Sequence, residues 1–144
     1  MLEVSDMTRE EMKALLGRAK YGHLAVARDG HPYVVPMHYA FDGRDLYFLT
    51  TEGTKTEYIA ANHEVCFQVG EVEDATRWRS VMLTGRAERL NTPGDTERAM
   101  QLISERNPAL APALNRTKIG HWTRLSHVAL FRVRAEALYG RKTA

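Results

Sequence analysis

The chain has 144 residues, which is enough for one domain with a single hydrophobic core. Apolar residues make up 44% and charged residues 26%, the balance of a soluble globular chain, and no apolar run approaches the roughly 18 residues of a membrane-spanning helix. The net charge of +2, without a basic run longer than two residues, argues against a nucleic-acid partner and leaves room for one small anionic ligand.

The acidic start Met1-Leu2-Glu3-Val4-Ser5-Asp6 lacks the apolar stretch of a secretory signal. Cys66 is the single cysteine, which excludes an intrachain disulfide; within Val65-Cys66-Phe67 it reads as a buried, inert thiol. The expectation is one cytoplasmic domain over 1–144, without a membrane span, repeats or linkers.

In chain order, the first element reads as a helix. Thr8 is its N-cap, Glu11 completes a capping box, and Met12, Leu15, Leu16 and Ala19 form one apolar stripe that Gly22 ends. Residues 23–28 form a first strand. Asp29-Gly30 supplies the two positive-φ residues of a type I′ turn, and His31 to Phe41 returns as the second strand. Asp42-Gly43 turns the chain again into a third strand, Asp45 to Thr50, so the three make an antiparallel meander. A Thr/Gly-rich loop and a short helix through Glu57 and Ile59 follow, with Asn62 as its stop. Val65 to Val69 is a fourth strand and residues 70–77 an acidic loop. Trp78 to Leu90 is a long fifth strand whose interior Gly85 marks a bulge or barrel corner. Thr92-Pro93-Gly94-Asp95 starts a helix that runs to about Arg106. Residues 109–122 are ambiguous, and Leu125 to Ala135 is the sixth strand. Six strands joined mostly by hairpins, with helices outside or between them, favour an antiparallel barrel over a doubly wound sheet.

Three segments carry chemistry. In Thr50-Thr51-Glu52-Gly53-Thr54-Lys55, three hydroxyls and an ammonium gather where a strand ends and a helix begins, a cluster suited to a phosphate monoester. The same residues fit a plain helix cap, Thr54 with Glu57, leaving Lys55 in water. In Val34-Val35-Pro36-Met37-His38-Tyr39, proline interrupts a strand ladder, either as an ordinary edge strand or as a place where a flat aromatic ligand meets freed backbone groups. In Arg77-Trp78-Arg79-Ser80, Arg79 offers a bidentate phosphate contact and Ser80 a hydrogen bond to a ring heteroatom, although packing alone also explains such a strand start. No metal site is expected, because six scattered histidines and one cysteine form no ligand spacing. GxGxxG, GxxxxGK[ST] and GxSxG are all absent.

Taken in order, these segments resemble one family. The run from Gly22 to Leu90 is similar to the pyridoxamine-5′-phosphate-oxidase-like FMN-binding split barrels. The likeness lies in the strand Pro32 to His38, the Leu46-Tyr47-Phe48-Leu49-Thr50 strand followed by Gly53-Thr54-Lys55, and the Ser80 to Glu88 strand. Within that family it looks most like the nitroimidazole-resistance (Nim-type) flavoproteins, through the Val34-Val35-Pro36 strand, the Gly53-Thr54-Lys55 loop and Ser80-Val81 leading to Gly85-Arg86-Ala87-Glu88. The resemblance implies a six-stranded Greek-key split barrel, mainly β with flanking helices, and a homodimer with FMN at the subunit interface. It implies that Thr50, Thr51, Thr54 and Lys55 face the phosphate, that Val35, Pro36, Met37 and His38 lie along the isoalloxazine, and that Arg79 and Ser80 bond the cofactor. Trp122 and Arg124 would come from the partner subunit. One departure is the tail, Ala137 to Ala144, which lacks the Arg-x-His that grips the B6 vitamer in true oxidases; the phosphate loop also lacks their arginine doublet. The function so implied is an FMN-dependent oxidoreductase acting on a small molecule, for instance a nitroreductase, with His38 as a catalytic proton donor or polarising group. Alternatives on the same fold are a deazaflavin-dependent reductase and a haem- or flavin-binding module without turnover.

Overall fold

A computed structural model of the chain describes residues 2–108 and 128–144. Among them run eight strands and three helices: β1 (Val4–Asp6), α1 (Arg9–Arg18), β2 (Tyr21–Arg28), β3 (His31–His38), β4 (Ala40–Phe41), β5 (Leu46–Thr51), α2 (Thr54–Ala61), β6 (Glu64–Asp74), β7 (Arg77–Arg89), α3 (Pro93–Arg106) and β8 (Val128–Thr143). All strand pairs are antiparallel, in the order β3-β2-β6-β7-β8-β5-β4, with β1 added to β8. None of the three helices is long and apolar enough to cross a membrane.

The capping box of α1 forms as its residue types dictate. The Thr8 hydroxyl accepts from Glu11 N (3.1 Å) and the Glu11 carboxylate from Thr8 N (2.9 Å). The helix ends earlier than expected, with Ala19 as C-cap, and Gly22 lies inside β2. The reason is close packing, since a Cβ on Gly22 would fall 2.4 Å from the Gln68 carbonyl oxygen. Asp29 and Gly30 adopt φ of 50° and 77°, the I′ geometry that joins β2 to β3.

The expected continuous strand from His31 to Phe41 is two strands, and the meander is not one sheet neighbourhood. β3 stays on β2, while β4 pairs with β5 at the opposite end of the sheet path. The break is at Tyr39, whose side chain turns inward so that its hydroxyl donates to Leu16 O (2.5 Å), while Asn107 Nδ2 donates to Tyr39 O (3.2 Å). Burial pushes the Tyr39 phenol well above its usual range. One residue thus carries the chain from one end of the sheet to the other and curls the sheet into a barrel with an open seam.

Residues 70–74, expected as a loop, extend β6, so that β6 and β7 form one long hairpin turning near Ala75 and Thr76. Glycine at 85 marks a bulge: Thr84 faces Ala137 but Gly85 faces Ala135, and a Cβ there would lie 2.1 Å from Arg134 O. β8 runs to Thr143, eight residues beyond the expected end. It has β7 on one edge; on the other it has β5 along its first half and β1 at its end. Adding β1 and dividing the second strand turns the expected six strands into eight without changing the class: a mainly β antiparallel split barrel with flanking helices.

Met12, Leu15 and Leu16 of α1 and Ile59 of α2 join the barrel interior, where Phe48 stacks on Phe131 (5.2 Å) and Tyr39 packs on Phe67 (5.0 Å). Ala99 and Ile103 of α3 cover a second cluster, with Tyr47, Leu90 and Leu130, on the outside of β5 and β8.

Candidate functional site

Two of the candidate segments, residues 35–38 and 50–55, border the seam. β4 pairs with β5 through Ala40–Tyr47 and Phe41–Leu46. Continuing that register past Tyr39 would set Met37 beside Thr50 and Pro36 beside Thr51. Among the described residues no ladder forms there; β3 pairs with β2 along its other edge. The outer edge of β3 and the end of β5 therefore border a slot, and among the described residues their facing backbone groups are unpaired. Along β3, Val35 and Met37 pack against the core, while Val34, Pro36 and His38 point outward. Proline at an edge costs no ladder bond.

Residues 50–55 close one end of the slot. Thr50 is buried and its hydroxyl donates to Thr51 O (3.4 Å). The cap of α2 is not Thr54 with Glu57. Gly53 is the N-cap, and the Thr56 hydroxyl both accepts from Gly53 N and donates to Gly53 O (2.9 Å each). That leaves the Thr54 hydroxyl and the Lys55 ammonium without a hydrogen bond or ion pair among the described residues. Both sit in the first turn of a helix, where free amides and the dipole favour an anion. Glu52, the one acid in the loop, is drawn to Arg89 of β7. This arginine was not expected at the site.

Ser80 and His38 lie on the outward face of β2, β3, β6, β7 and β8, which the registers arrange in rows. Val34, Ala25, Cys66, Thr84 and Ala137 form one row; Pro36, His23, Gln68, Met82 and Tyr139 form the next. Beyond them, Tyr21 faces His38, and Ser80 stands between Gly70 and Arg141. Cys66 is thus half-buried on this face rather than inside the core, and burial pushes its thiol up. Tyr21, Val34, Val72, Met82 and Tyr139 are exposed large apolar side chains of the face.

His38 Nδ1 is 3.2 Å from Lys20 O. A carbonyl only accepts, so the ring carries its proton on Nδ1 and presents Nε2 outward. Ser80 Oγ accepts from Gln68 Nε2 (2.9 Å), and Gln68 Oε1 meets His23 Nδ1 (3.3 Å). Neither Gln68 nor His23 was expected; only the strand register brings them beside Ser80. Arg79 parts company with Ser80. Strand alternation turns it to the other face, 3.9 Å from Glu71, which Arg18 grips with two bonds of 2.7 and 2.9 Å. Ser80 also lies three strands from β3, roughly 14 Å across the sheet, so one copy does not bring it to the slot. Trp122 and Arg124 lie outside the described residues.

The sequence profile of the pyridoxamine 5′-phosphate oxidase family matches residues 8–142. Among solved structures, a FAD-binding protein from Mesorhizobium loti is similar at 30% identity and a TM-score of 0.81, covering 100% of this chain and 99% of that one. A candidate 5-nitroimidazole antibiotic resistance protein from Bacteroides thetaiotaomicron shares the fold at 19% identity and a TM-score of 0.80, over 99% and 89% of the two chains. An uncharacterized protein of Rhizobium meliloti (strain 1021) is 36% identical over 84 residues, 58% of this chain and 56% of that relative. That match spans about half of the relative's length.

Proposed function

The chain belongs to the pyridoxamine 5′-phosphate oxidase family, and from that premise we propose that it is a homodimeric flavoprotein that holds FMN along the seam and acts as an oxidoreductase on small molecules, nitro compounds among them. The observation that carries the reading is the pair Thr54 and Lys55 in the first turn of α2, without a partner among the described residues, beside two strand edges that are open among them. A phosphate monoester needs hydroxyl and amide donors and a cation, and this donor set provides them. A flavin ring needs backbone donors and acceptors on its rim; on the outer edge of β3 Pro36 offers a carbonyl only, and its edge neighbours Val34 and His38 offer both N–H and C=O, while Val35 and Met37 bond to β2. When bound, the flavin supplies the hydride or electron chemistry; the protein binds, orients and shields it. His38, oriented by the contact of its Nδ1 with Lys20 O, turns its Nε2 outward, where it can hydrogen-bond and polarise a substrate beside the ring.

A second copy suits the outward face. Exposed apolar side chains on β2, β3, β7 and β8 with charged neighbours such as Arg141 have the character of an interface. The distance of Ser80 from the slot points the same way, since a partner's Ser80 can reach a cofactor that its own cannot. Vitamin B6 oxidation is not part of the proposal, because residues 137–144 lack the Arg-x-His clamp. FAD is the second reading, favoured by the Mesorhizobium loti relative, which is 30% identical over the whole chain and described as FAD-binding.

The test is reconstitution. Protein incubated with excess FMN and desalted is expected to stay yellow, at about one flavin per subunit. Parallel incubations with FAD and a deazaflavin rank the three, and the mass of cofactor released from protein purified out of cells identifies the native one. A colourless protein after desalting from every flavin ends the proposal.

A further inference from the structure

We propose that His23 and Gln68 fix the hydrogen-bond polarity of Ser80, making this serine a dedicated donor that selects an acceptor atom of the ligand on the outward face. The proposal rests on the flavin reading for the identity of that acceptor, a carbonyl or unprotonated nitrogen of the ring. The relay itself is a property of the chain alone.

Three side chains from three adjacent strands make the relay: His23 on β2, Gln68 on β6 and Ser80 on β7. Gln68 Nε2 donates to Ser80 Oγ at 2.9 Å, which turns Gln68 Oε1 toward His23 Nδ1 at 3.3 Å. An amide oxygen cannot donate, so the histidine must place its proton on Nδ1. Each member is then committed in one direction, from His23 through Gln68 to Ser80. The serine oxygen already accepts, and its own O–H donates to no group among the described residues. That proton is left pointing away from the relay, ready for a ligand atom that accepts.

Gly70 leaves room for the Gln68 amide. It faces Ser80 across the β6–β7 ladder, and a Cβ there would lie 3.0 Å from Gln68 Nε2. Glycine at this position gives the amide room to sit where it does. A glutamine reaching only into solvent would need neither that room nor two partners on neighbouring strands. Gln68 and His23 are positioning residues in this account, acting on the ligand through Ser80.

Two measurements test it on the full chain. In ¹⁵N-labelled protein, His23 is expected to show the Nδ1–H tautomer, and Gln68→Leu to release it to a mixture. In FMN titrations followed by flavin fluorescence, Ser80→Ala and Gln68→Leu are each expected to weaken binding about fivefold. The double variant is expected to be no weaker than Ser80→Ala alone, because both changes remove one interaction. His23→Leu should match Gln68→Leu, whereas His23→Asn, which keeps an N–H near the place of Nδ1, should restore most of the affinity. Sedimentation confirms that each variant keeps the oligomeric state of the parent. An Nε2–H tautomer in the parent protein overturns the relay, and so does additivity of the two losses. Failure of the parent to take up any flavin overturns the ligand reading instead, and the tautomer reports on the relay either way.

Discussion

Gly22→Ala puts the packing of the sheet under the candidate face to a direct test. A methyl group at 22 would lie 2.4 Å from Gln68 O, 2.4 Å from Phe67 Cε1 and 2.9 Å from Val69 Cγ2. Phe67 and Val69 are fully buried, and the Gln68 oxygen is main chain, so none can swing aside. Regaining ordinary contact distances requires β2 and β6 to part by about 1 Å. Overpacking of this kind costs about 1–3 kcal/mol, and main-chain contact places this case near 3. For a chain of this size that lowers the thermal midpoint by roughly 10 °C. Calorimetry or circular dichroism on the cofactor-free protein reads the shift. A midpoint within about 2 °C of the parent would refute the close approach of β2 and β6 on which the row of His23 and Gln68 depends.

Further outcomes follow from the charged groups. The Lys142 ammonium (2.5 Å), with help from the Thr8 amide, holds the Glu11 carboxyl down to about 2. Its folded value is below the ordinary 4.5, so the stabilisation is complete above pH 4.5 and disappears as pH falls toward 2. Glu11→Gln should flatten the acid decline of the thermal midpoint in that window, and an unchanged slope would contradict the pairing. Asp42 orders the turn into β5: its carboxylate accepts from Arg44 N (2.9 Å), Asp45 N (2.7 Å) and the Tyr47 hydroxyl (3.2 Å). Asp42→Ala should cost about 2 kcal/mol and speed hydrogen exchange at the Arg44 and Asp45 amides; unaltered exchange would count against the turn.

Local physics explains what the sequence makes legible. The box of Thr8 and Glu11, the positive-φ turn at Asp29-Gly30, the helix start at Thr92-Pro93 and the kink at Gly85 all depend on neighbours a few residues apart or on glycine itself. What is hidden depends on distant partners. Val4 to Asp6 carries no pattern of its own and becomes a strand only because residues 141–143 come alongside. Residues 70–74 are polar because this arm of the hairpin runs past the core, where alternation has nothing to bury. The run His31 to Phe41 looks continuous, and its break is made by Leu16 and Asn107 acting on Tyr39. At the candidate site, the sequence offers Thr54 with Glu57 as the helix cap, but Gly53 is the N-cap. The Thr56 hydroxyl bonds to Gly53 from N3, and Thr54 is left out of the cap. Arg79 and Ser80 read as a pair until alternation sends them to opposite faces, and the link from Ser80 to Gln68 and His23 exists only once three strands are in register.

Thr54 and Lys55 are proposed to recognise the phosphate of a flavin. Comparing the affinities of FMN and riboflavin for the parent protein and for Lys55→Ala measures that recognition directly. Lys55 has no partner among the described residues, so its removal leaves no unpaired group and the thermal midpoint of the cofactor-free protein should not move. A charge-assisted phosphate contact contributes about 1.5–3 kcal/mol, or roughly 10- to 100-fold in affinity. The account predicts that the parent prefers FMN to riboflavin, and that Lys55→Ala loses FMN affinity by that factor while riboflavin binding stays as it was. Equal affinity of the parent for the two flavins, or an equal loss of both in the variant, would contradict it.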